Sequence, residues 1–521
     1  MSAKPSPDNF PPGMPWPSYD AIPRVMRTLL EQRAQATPDR LAIADERNRT
    51  MTFGALAEQV HQVAAGLSEL GITRGSRVAW QLPTSIESIV LMLALAHLGS
   101  VQAPIVPIYR RREVENIIAT AAIEIFIAPD EWRGFSYRDM ATSIGADLPS
   151  LRLVDAEAAM HGSNATPPPG VDEPDEVRWI YSTSGTVSAA KCVRHSDATL
   201  VLGGIAQGQT IGANENDVLS IPFPITHIGG PTLLVMTLVL GIPSVIVERF
   251  DITETLPLFR RHGVTLSAGG TAFYIAYLEE QRRIAPEPVL PSLRALFGGG
   301  APKPESLYWD VKAELGVPIY HGYGSTEIPL VAMGGPNDSD EQLATTEGAT
   351  VPECDVRIER NNQSDLDGEI LVRGTLVCHG YTDERLNAEL FDENGFLRTG
   401  DRGYLRPDGH IVLTGRSKDL IVRKGENINP LEVERVLQSH PAVAAVAVVG
   451  LPDATRGEMV CAVIELAHGH MAPTLGDVRD HCLQAGLAIQ SVPERLEVVD
   501  QLPRNPNMKV LKRELRTRFT S

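Results

Sequence analysis

Apolar and polar positions follow two rhythms along this chain, one of period 3.6 and one of period 2, and the two take turns. Helical spacing predicts a helix from Pro23 to Ala36, with the proline tolerated in its first turn. Thr37-Pro38-Asp39 reads as a turn and Leu41–Ala44 as a short strand. A helix follows from Phe53 to Leu70, ended by Gly71. Arg77–Leu82 reads as a strand and Pro83–Leu98 as a helix closed by Gly99. This alternation predicts an α/β fold of stacked layers with parallel sheets. The most apolar windows are Ile89–Ala96 and Leu233–Leu240. Both are too short to span a bilayer and predict buried helices.

Residues 1–22 are Pro-rich and read as an extended lead-in. Residues 159–176 are polar and Pro-rich, a surface loop between subdomains, and the strand Val177–Tyr181 follows. Strands at Gly368–Arg373 and Gly409–Thr414 predict a β-rich subdomain. After Gly415 the pattern restarts: a helix at Pro430–Gln438, strands at Val443–Val449 and Met459–Glu465, a helix at Thr474–Gln484, then a basic tail from Arg504. The expected organisation is a large domain over 23–415 and a small α+β domain over 416–521.

The 521 residues amount to roughly three to four domains of about 150 residues, so more than one lobe is expected. With 43% hydrophobic and 21% charged residues the chain has ample material for a core. The net charge of −18 argues against a nucleic-acid binder and against basic patches on anionic lipid, but leaves an anionic small ligand open. The five cysteines are scattered with no CxxC pair. That argues against a disulfide framework or structural zinc and favours a reducing, cytoplasmic compartment. The N-terminus lacks the apolar stretch of a signal peptide.

Four segments carry candidate chemistry. Tyr181–Lys191 follows a predicted strand and precedes a helix starting near Ser196. Its hydroxyls, glycine and lysine supply donors for phosphate oxygens, although GxxxxGK[ST] is absent and a Ser/Thr-rich surface turn has the same composition. In Tyr320–Glu327, glycines allow backbone to approach a planar ligand, Tyr323 can stack on a base, and Glu327 is a hard oxygen ligand suited to Mg²⁺; a Gly-rich turn with a solvated Glu reads equally well. In Leu397–Asp401 and Gly415–Asp419, an Asp can accept from two ribose hydroxyls and an Arg can bind phosphate; ordinary charged turns look alike. The segment Pro503–Lys509 ends on a lysine that could simply be one charge of the basic tail.

Taken in this order, the segments resemble the adenylate-forming superfamily of acyl-CoA synthetases, luciferases and peptide-synthetase adenylation domains, within it the acyl-CoA synthetase and fatty-acid–CoA ligase branch. The resemblance runs from about residue 30 to 518 and rests on Thr183–Lys191, Pro224–Gly230, Gly298–Pro302, Tyr323–Glu327, Thr399–Asp401, Gly415–Asp419 and Lys509. It implies a ligase that uses ATP, Mg²⁺ and coenzyme A: a carboxylate attacks the α-phosphate, pyrophosphate leaves, and a thiol displaces AMP from the acyl-adenylate.

The resemblance also implies roles. Thr183, Ser184, Gly185, Thr186 and Lys191 would hold the phosphates. Gly299, Gly300, Ala301, Gly322, Tyr323 and Gly324 would line the adenine, and Gly300 and Gly322, with His227 and Gly230, would border the acyl pocket. Thr326 would contact phosphate, and Glu327 and Thr186 would serve Mg²⁺. Asp401 would hold the ribose, with Arg416 nearby. Lys509 would bridge the carboxylate and the α-phosphate, Lys418 would be the hinge about which the small domain turns, and Gly425 would face coenzyme A. His227 also reads as a core-facing or helix-capping residue. The family's loop reads SGTTGxPKG, whereas here Val187, Ser188, Ala190 and Cys192 interrupt it, and Met508 stands where a glycine usually precedes the lysine. Two alternatives stand beside the CoA ligase: loading of a carrier protein's phosphopantetheine, and an ATP-binding protein without catalysis.

Overall fold

The structure is a computed structural model that describes residues 22–183, 191–360, 362, 365–424, 426–453, 455–467, 469–504 and 510–520. Among these residues the first part of the chain builds two large sheets. One has nine strands, and its parallel body runs Ile319–Tyr323, Ala295–Gly299, Leu266–Ala268, Leu219–Ile221, Ser244–Ile246 and Leu41–Asp45. The other has six, with Val177–Thr183, Val101–Pro104, Arg77–Trp80, Ile125–Ala128 and Arg152–Asp155 parallel and Lys191–Ser196 antiparallel at one edge. The expected α/β architecture is therefore present.

The two apolar windows lie in helices Ile86–Leu98 and Gly229–Leu240. Neither has a polar stripe, because both are buried nearly all round, and the first touches strands of both large sheets. Gly99 and Gly241 end them in the left-handed conformation that a side chain resists. Two helix starts differ from expectation. The first helix begins at Met26 rather than Pro23, and the third at Ile86 rather than Pro83, where Ser85 and Ser88 form a capping box. The strand Lys191–Ser196 was not expected. It pairs with Val177–Thr183 as a hairpin, bringing Lys191 opposite Thr183, and Ser196 caps the following helix.

The β-rich part is a four-stranded antiparallel sheet of Cys354–Glu359, Gly368–Gly374, Leu397–Leu405 and Ile411–Arg416. The fourth strand starts at Ile411 rather than Gly409, because Gly409 turns the chain at positive φ. A 3₁₀ turn at Ser417–Asp419 leads into a separate sheet around Val443–Asp453 and Gly457–Leu466. These long strands alternate: Val448, Val460 and Ala462 face one core with helices Pro430–Gln438 and Leu475–Gln484, while Val449, Cys461 and Val463 face another. The helix Lys512–Phe519, which supplies Leu515 to that second core, is an addition to the expected elements. A small C-terminal domain with its own cores thus follows the large one.

Candidate active site

Four neighbouring parallel strands of the nine-stranded sheet each release a loop at their carboxyl end, where ligands of open α/β sheets bind. Strand Leu219–Ile221 leads to Phe223–Ile228, Leu266–Ala268 to Gly269-Gly270, Ala295–Gly299 to Gly300–Pro304, and Ile319–Tyr323 to Gly324–Glu327. The glycines make this crowding possible. A Cβ on Gly299 would lie 2.0 Å from the Gly322 carbonyl oxygen, one on Gly298 1.9 Å from that of Gly269, and one on Gly270 2.6 Å from that of Gly299. These residues, with Gly230 against the Ile225 carbonyl at 2.2 Å, serve close approach of backbone. Gly300 differs: its φ is +92° and a Cβ there would meet nothing within 4 Å, so its face is open.

The segment Tyr323–Glu327 joins two polar clusters. At its start the Tyr323 hydroxyl donates to Asp401 Oδ2 at 2.9 Å, and Arg416 Nε donates to Asp401 Oδ1 at 2.6 Å. Asp401 is buried, and its own N–H donates to Thr399 Oγ1 at 3.1 Å. Burial, then the neighbouring Asp401, pushes the Tyr323 phenol far up, so it stays a donor. Each Asp401 oxygen keeps a second lone pair for an incoming hydroxyl. Tyr323 itself is buried, with its polar end turned to Asp401.

At the other end, Tyr381 donates to Glu327 Oε1 at 2.7 Å, and its ring lies 4.7 Å from Lys191 Nζ. Burial and Glu327 raise the Tyr381 phenol, which keeps its proton. The Cys378 N–H donates to the Glu327 carbonyl at 2.9 Å, and His195 Nε2 lies 2.7 Å from the Thr326 carbonyl. His195 Nδ1 is 2.9 Å from Thr199 Oγ1. Neither Tyr381 nor His195 was foreseen as part of the site. Strand alternation puts His195 on the face of Lys191, but that strand was itself not expected from the sequence. Tyr381 is 54 positions from Glu327 and had no local signal.

His227 combines two readings. Its Nδ1 accepts from the Gly229 N–H at 3.3 Å at the start of the helix, and its ring meets Phe223 edge-on at 6.0 Å. Beneath Gly322, the buried His321 has Nε2 3.0 Å from the Ala301 carbonyl and 3.3 Å from Glu347 Oε2. Buried Lys303 donates to the Ala344 carbonyl at 2.6 Å. Burial brings the Lys303 ammonium down to about 8 and the Glu347 carboxyl up to about 7.

Ser184, Gly185, Thr186, Gly425, Met508 and Lys509 lie outside the described residues, as do Val187, Ser188 and Ala190. Lys418 is in the 3₁₀ turn Ser417–Asp419. On either side of that turn, Arg435 of the next domain donates to the Leu413 carbonyl at 2.9 Å, and Asn429 donates to the Thr414 carbonyl.

The family model of the AMP-binding enzyme matches residues 30–382, and that of the AMP-binding enzyme C-terminal domain matches residues 432–509. The chain belongs to the AMP-binding enzyme family. It is 31% identical to a salicyl-AMP ligase / salicyl-S-ArCP synthetase of Mycobacterium tuberculosis, over 98% of this chain and 95% of that one. It is 30% identical to a 2-succinylbenzoate–CoA ligase of Bacillus subtilis, over 94% of this chain and 97% of that one. Among solved structures it resembles the Bacillus subtilis o-succinylbenzoate CoA synthetase in complex with the acyl-adenylate intermediate, with TM-score 0.82, 28% identity, and 94% and 97% of the two chains covered. It also resembles ATP-bound MatB from Rhodopseudomonas palustris, with TM-score 0.85, 26% identity, and 95% and 99% covered.

Three histidines of this AMP-binding enzyme tie its stability to pH. Burial holds His195 and His227 down at about 4 and His321 at about 3. The folded state keeps them neutral, while the unfolded chain protonates them below about 6.5. The unfolded state then binds more protons, so stability is full above pH 6.5 and is lost as pH falls towards 4. His410, raised by Asp338 and Asp408 against its own burial, and Glu347, raised by burial, oppose this, while His97 and His379, both lowered by burial, add to it. Urea unfolding midpoints are expected to drop between pH 7 and pH 5; a flat profile would refute the assignment.

Proposed function

We propose that this chain joins a carboxylic acid to ATP as acyl-AMP and pyrophosphate, and then passes the acyl group to the thiol of coenzyme A, releasing AMP. One observation carries the reading: the Tyr323–Glu327 segment has the Asp401–Arg416 pair at one end and the Glu327–Tyr381–Lys191 cluster at the other. Those ends suit the ribose and the phosphates of one nucleotide. An anionic carboxylate must approach a polyanionic triphosphate, so the site has to supply positive charge and fixed donors. Lys191 and Lys509 provide cationic charge, and Arg416 holds Asp401 in place for the ribose hydroxyls.

Glu327, a half-buried carboxylate with one oxygen fixed by Tyr381, fits a hard divalent cation, with Thr186 as second ligand. Bound Mg²⁺ supplies charge neutralisation on the phosphates. His227 borders the acyl pocket beside Phe223, and Gly300 gives the nucleotide an open backbone face. The small domain turns at Lys418 between the two half-reactions, bringing the segment around Gly425 to the thiol. All five cysteines are free and buried, which supports a reducing, cytoplasmic setting.

Two substitutions probe the two clusters. Tyr381→Phe keeps the ring under Lys191 but removes the donor to Glu327. A hydrogen bond to a charged group contributes about 1.5–3 kcal/mol, so the Mg²⁺ concentration needed for half-maximal pyrophosphate release is expected to rise about 10- to 100-fold. An unchanged Mg²⁺ titration would dismiss this role. Asp401→Asn retains shape but loses the charge that faces Arg416. The KM for ATP is expected to rise at least about tenfold, with the KM for the acid little changed. Equal effects on both would place Asp401 outside the ribose site.

Carrier loading is the second reading, favoured by the salicyl-S-ArCP synthetase relative. A panel of acids, aromatic ones such as salicylate and 2-succinylbenzoate beside straight-chain ones, separates the two when run with ATP and Mg²⁺, with and without coenzyme A. A CoA thioester product supports the first reading. Pyrophosphate release with no thioester in the presence of coenzyme A supports the second.

A further inference from the structure

One group of side chains built on elements outside the nucleotide loops has converging ligand atoms and no part in the chemistry above. Glu31 of helix Met26–Ala36, His61 of helix Phe53–Glu69 and His97 of helix Ile86–Leu98 each offer one ligand atom, all within 4.8 Å of one another. His61 Nε2 is 3.7 Å from Glu31 Oε1, and the two imidazole rings meet edge-on with centroids 5.1 Å apart.

His97 is the fixed member, only 4% exposed. Its Nε2 lies 3.0 Å from the Pro168 carbonyl, which can only accept, so Nε2 carries the proton and Nδ1 carries the lone pair. That buried Nδ1 has no hydrogen-bond partner among the described residues. A neutral imidazole whose second nitrogen donates to a carbonyl is the form in which histidine binds a metal, with ring and tautomer already set.

We propose that Glu31, His61 and His97 form a binding site for a borderline divalent transition ion, with Zn²⁺ as the reference case. Two imidazole nitrogens and one carboxylate oxygen suit such an ion, whereas Mg²⁺ and Ca²⁺ prefer an all-oxygen set. Three protein ligands leave the fourth tetrahedral position to water. The neighbouring charges permit it. Arg27 donates to both Glu31 oxygens at 2.8 and 2.6 Å and also to Asp172. Arg27 takes one lone pair on each Glu31 oxygen, and the second lone pair of Oε1, the oxygen nearest His61, is left for the ion. Ligand atoms around Zn²⁺ sit about 3.4 Å apart for bonds near 2.1 Å. The group must therefore contract, and the half-buried His61 and Glu31 can move towards the fixed His97. The occupied site would tie three helices to the loop that carries Pro168 and Asp172.

The test is calorimetric titration of Zn²⁺ into the metal-free full chain, with Co²⁺ absorption as a second signal. The variants are Glu31→Gln, His61→Ala and His97→Gln. One site is expected, with binding weakened at least tenfold in each variant and with a tetrahedral Co²⁺ spectrum lost in step. Excess Mg²⁺ should leave the titration unchanged. Metal-free thermal unfolding of His61→Ala, whose side chain is partly exposed, should match the parent chain and separate lost binding from lost fold. If His97→Gln does not fold, the other two variants decide. No uptake by the parent chain, or equal affinity in Glu31→Gln and His61→Ala, would overturn the site.

Discussion

Lys509→Ala is expected to lower acyl-adenylate formation by about 10²–10³-fold, the loss seen when one preorganised charge-stabilising group is removed from an active site. The reason is the timing of charge. As the carboxylate closes on the α-phosphate, two negatively charged groups are forced together and their repulsion has to be offset. On the proposed reading, the ammonium of Lys509 would act there as a point charge that costs no reorganisation. Thioester formation from supplied acyl-AMP involves no such approach and is expected to stay within a few-fold of the parent enzyme. The split is the diagnostic quantity, measured as pyrophosphate release against thioester formation on the same preparation. Equal losses in both half-reactions would remove Lys509 from the adenylation step.

Lys418→Pro is expected to act on the other half. Lys418 lies between the strand Ile411–Arg416 and the strand Ile421–Arg423 that opens the small domain. Proline fixes φ and removes the backbone N–H, which disfavours any conformation needing another φ by about 3 kcal/mol. If the two half-reactions use two orientations of the small domain, one of them is penalised by roughly 10²-fold. Adenylation is expected to persist and thioester formation to stall. Contacts on both sides of the turn show what must be released: Arg435 on the Leu413 carbonyl and Asn429 on the Thr414 carbonyl. Normal thioester formation from acyl-AMP by Lys418→Pro would show that the pivot lies elsewhere.

Local signals in the sequence were sufficient for elements whose ends are punctuated. Gly99 and Gly241 close their helices at positive φ, and Pro430 opens one after the Asn429 cap. Apolar windows at Ile89–Ala96 and Leu233–Leu240 pointed to buried helices because no polar stripe was present. The strand Lys191–Ser196 was not legible: its alternation is carried by Arg194, His195 and Ser196, polar residues whose partners are far along the chain. The helix Lys512–Phe519 was hidden by its basic surface, with Leu515 its one buried residue.

The same division runs through the site. Asp401, Arg416, Tyr323 and Glu327 stand in short motifs, and the structure brings the first three onto one carboxylate. What orients Glu327 comes from Tyr381 and Cys378, and what holds Thr326 comes from His195. None of these bonds leaves a local trace, because each is set by how the hairpin and the β-rich part pack together. The roles of individual glycines are hidden for a related reason. Size alone does not tell a residue that opens space, such as Gly300, from one that lets two backbones touch, such as Gly299 against Gly322.

The central claim is that ATP and a carboxylic acid react reversibly to acyl-AMP before any thiol takes part. Exchange of labelled pyrophosphate into ATP, without coenzyme A and across the acid panel, tests it most directly. The account predicts exchange that requires both Mg²⁺ and an accepted acid, and that disappears in Lys509→Ala. Absence of exchange with every acid, or exchange that proceeds without any acid, would contradict it.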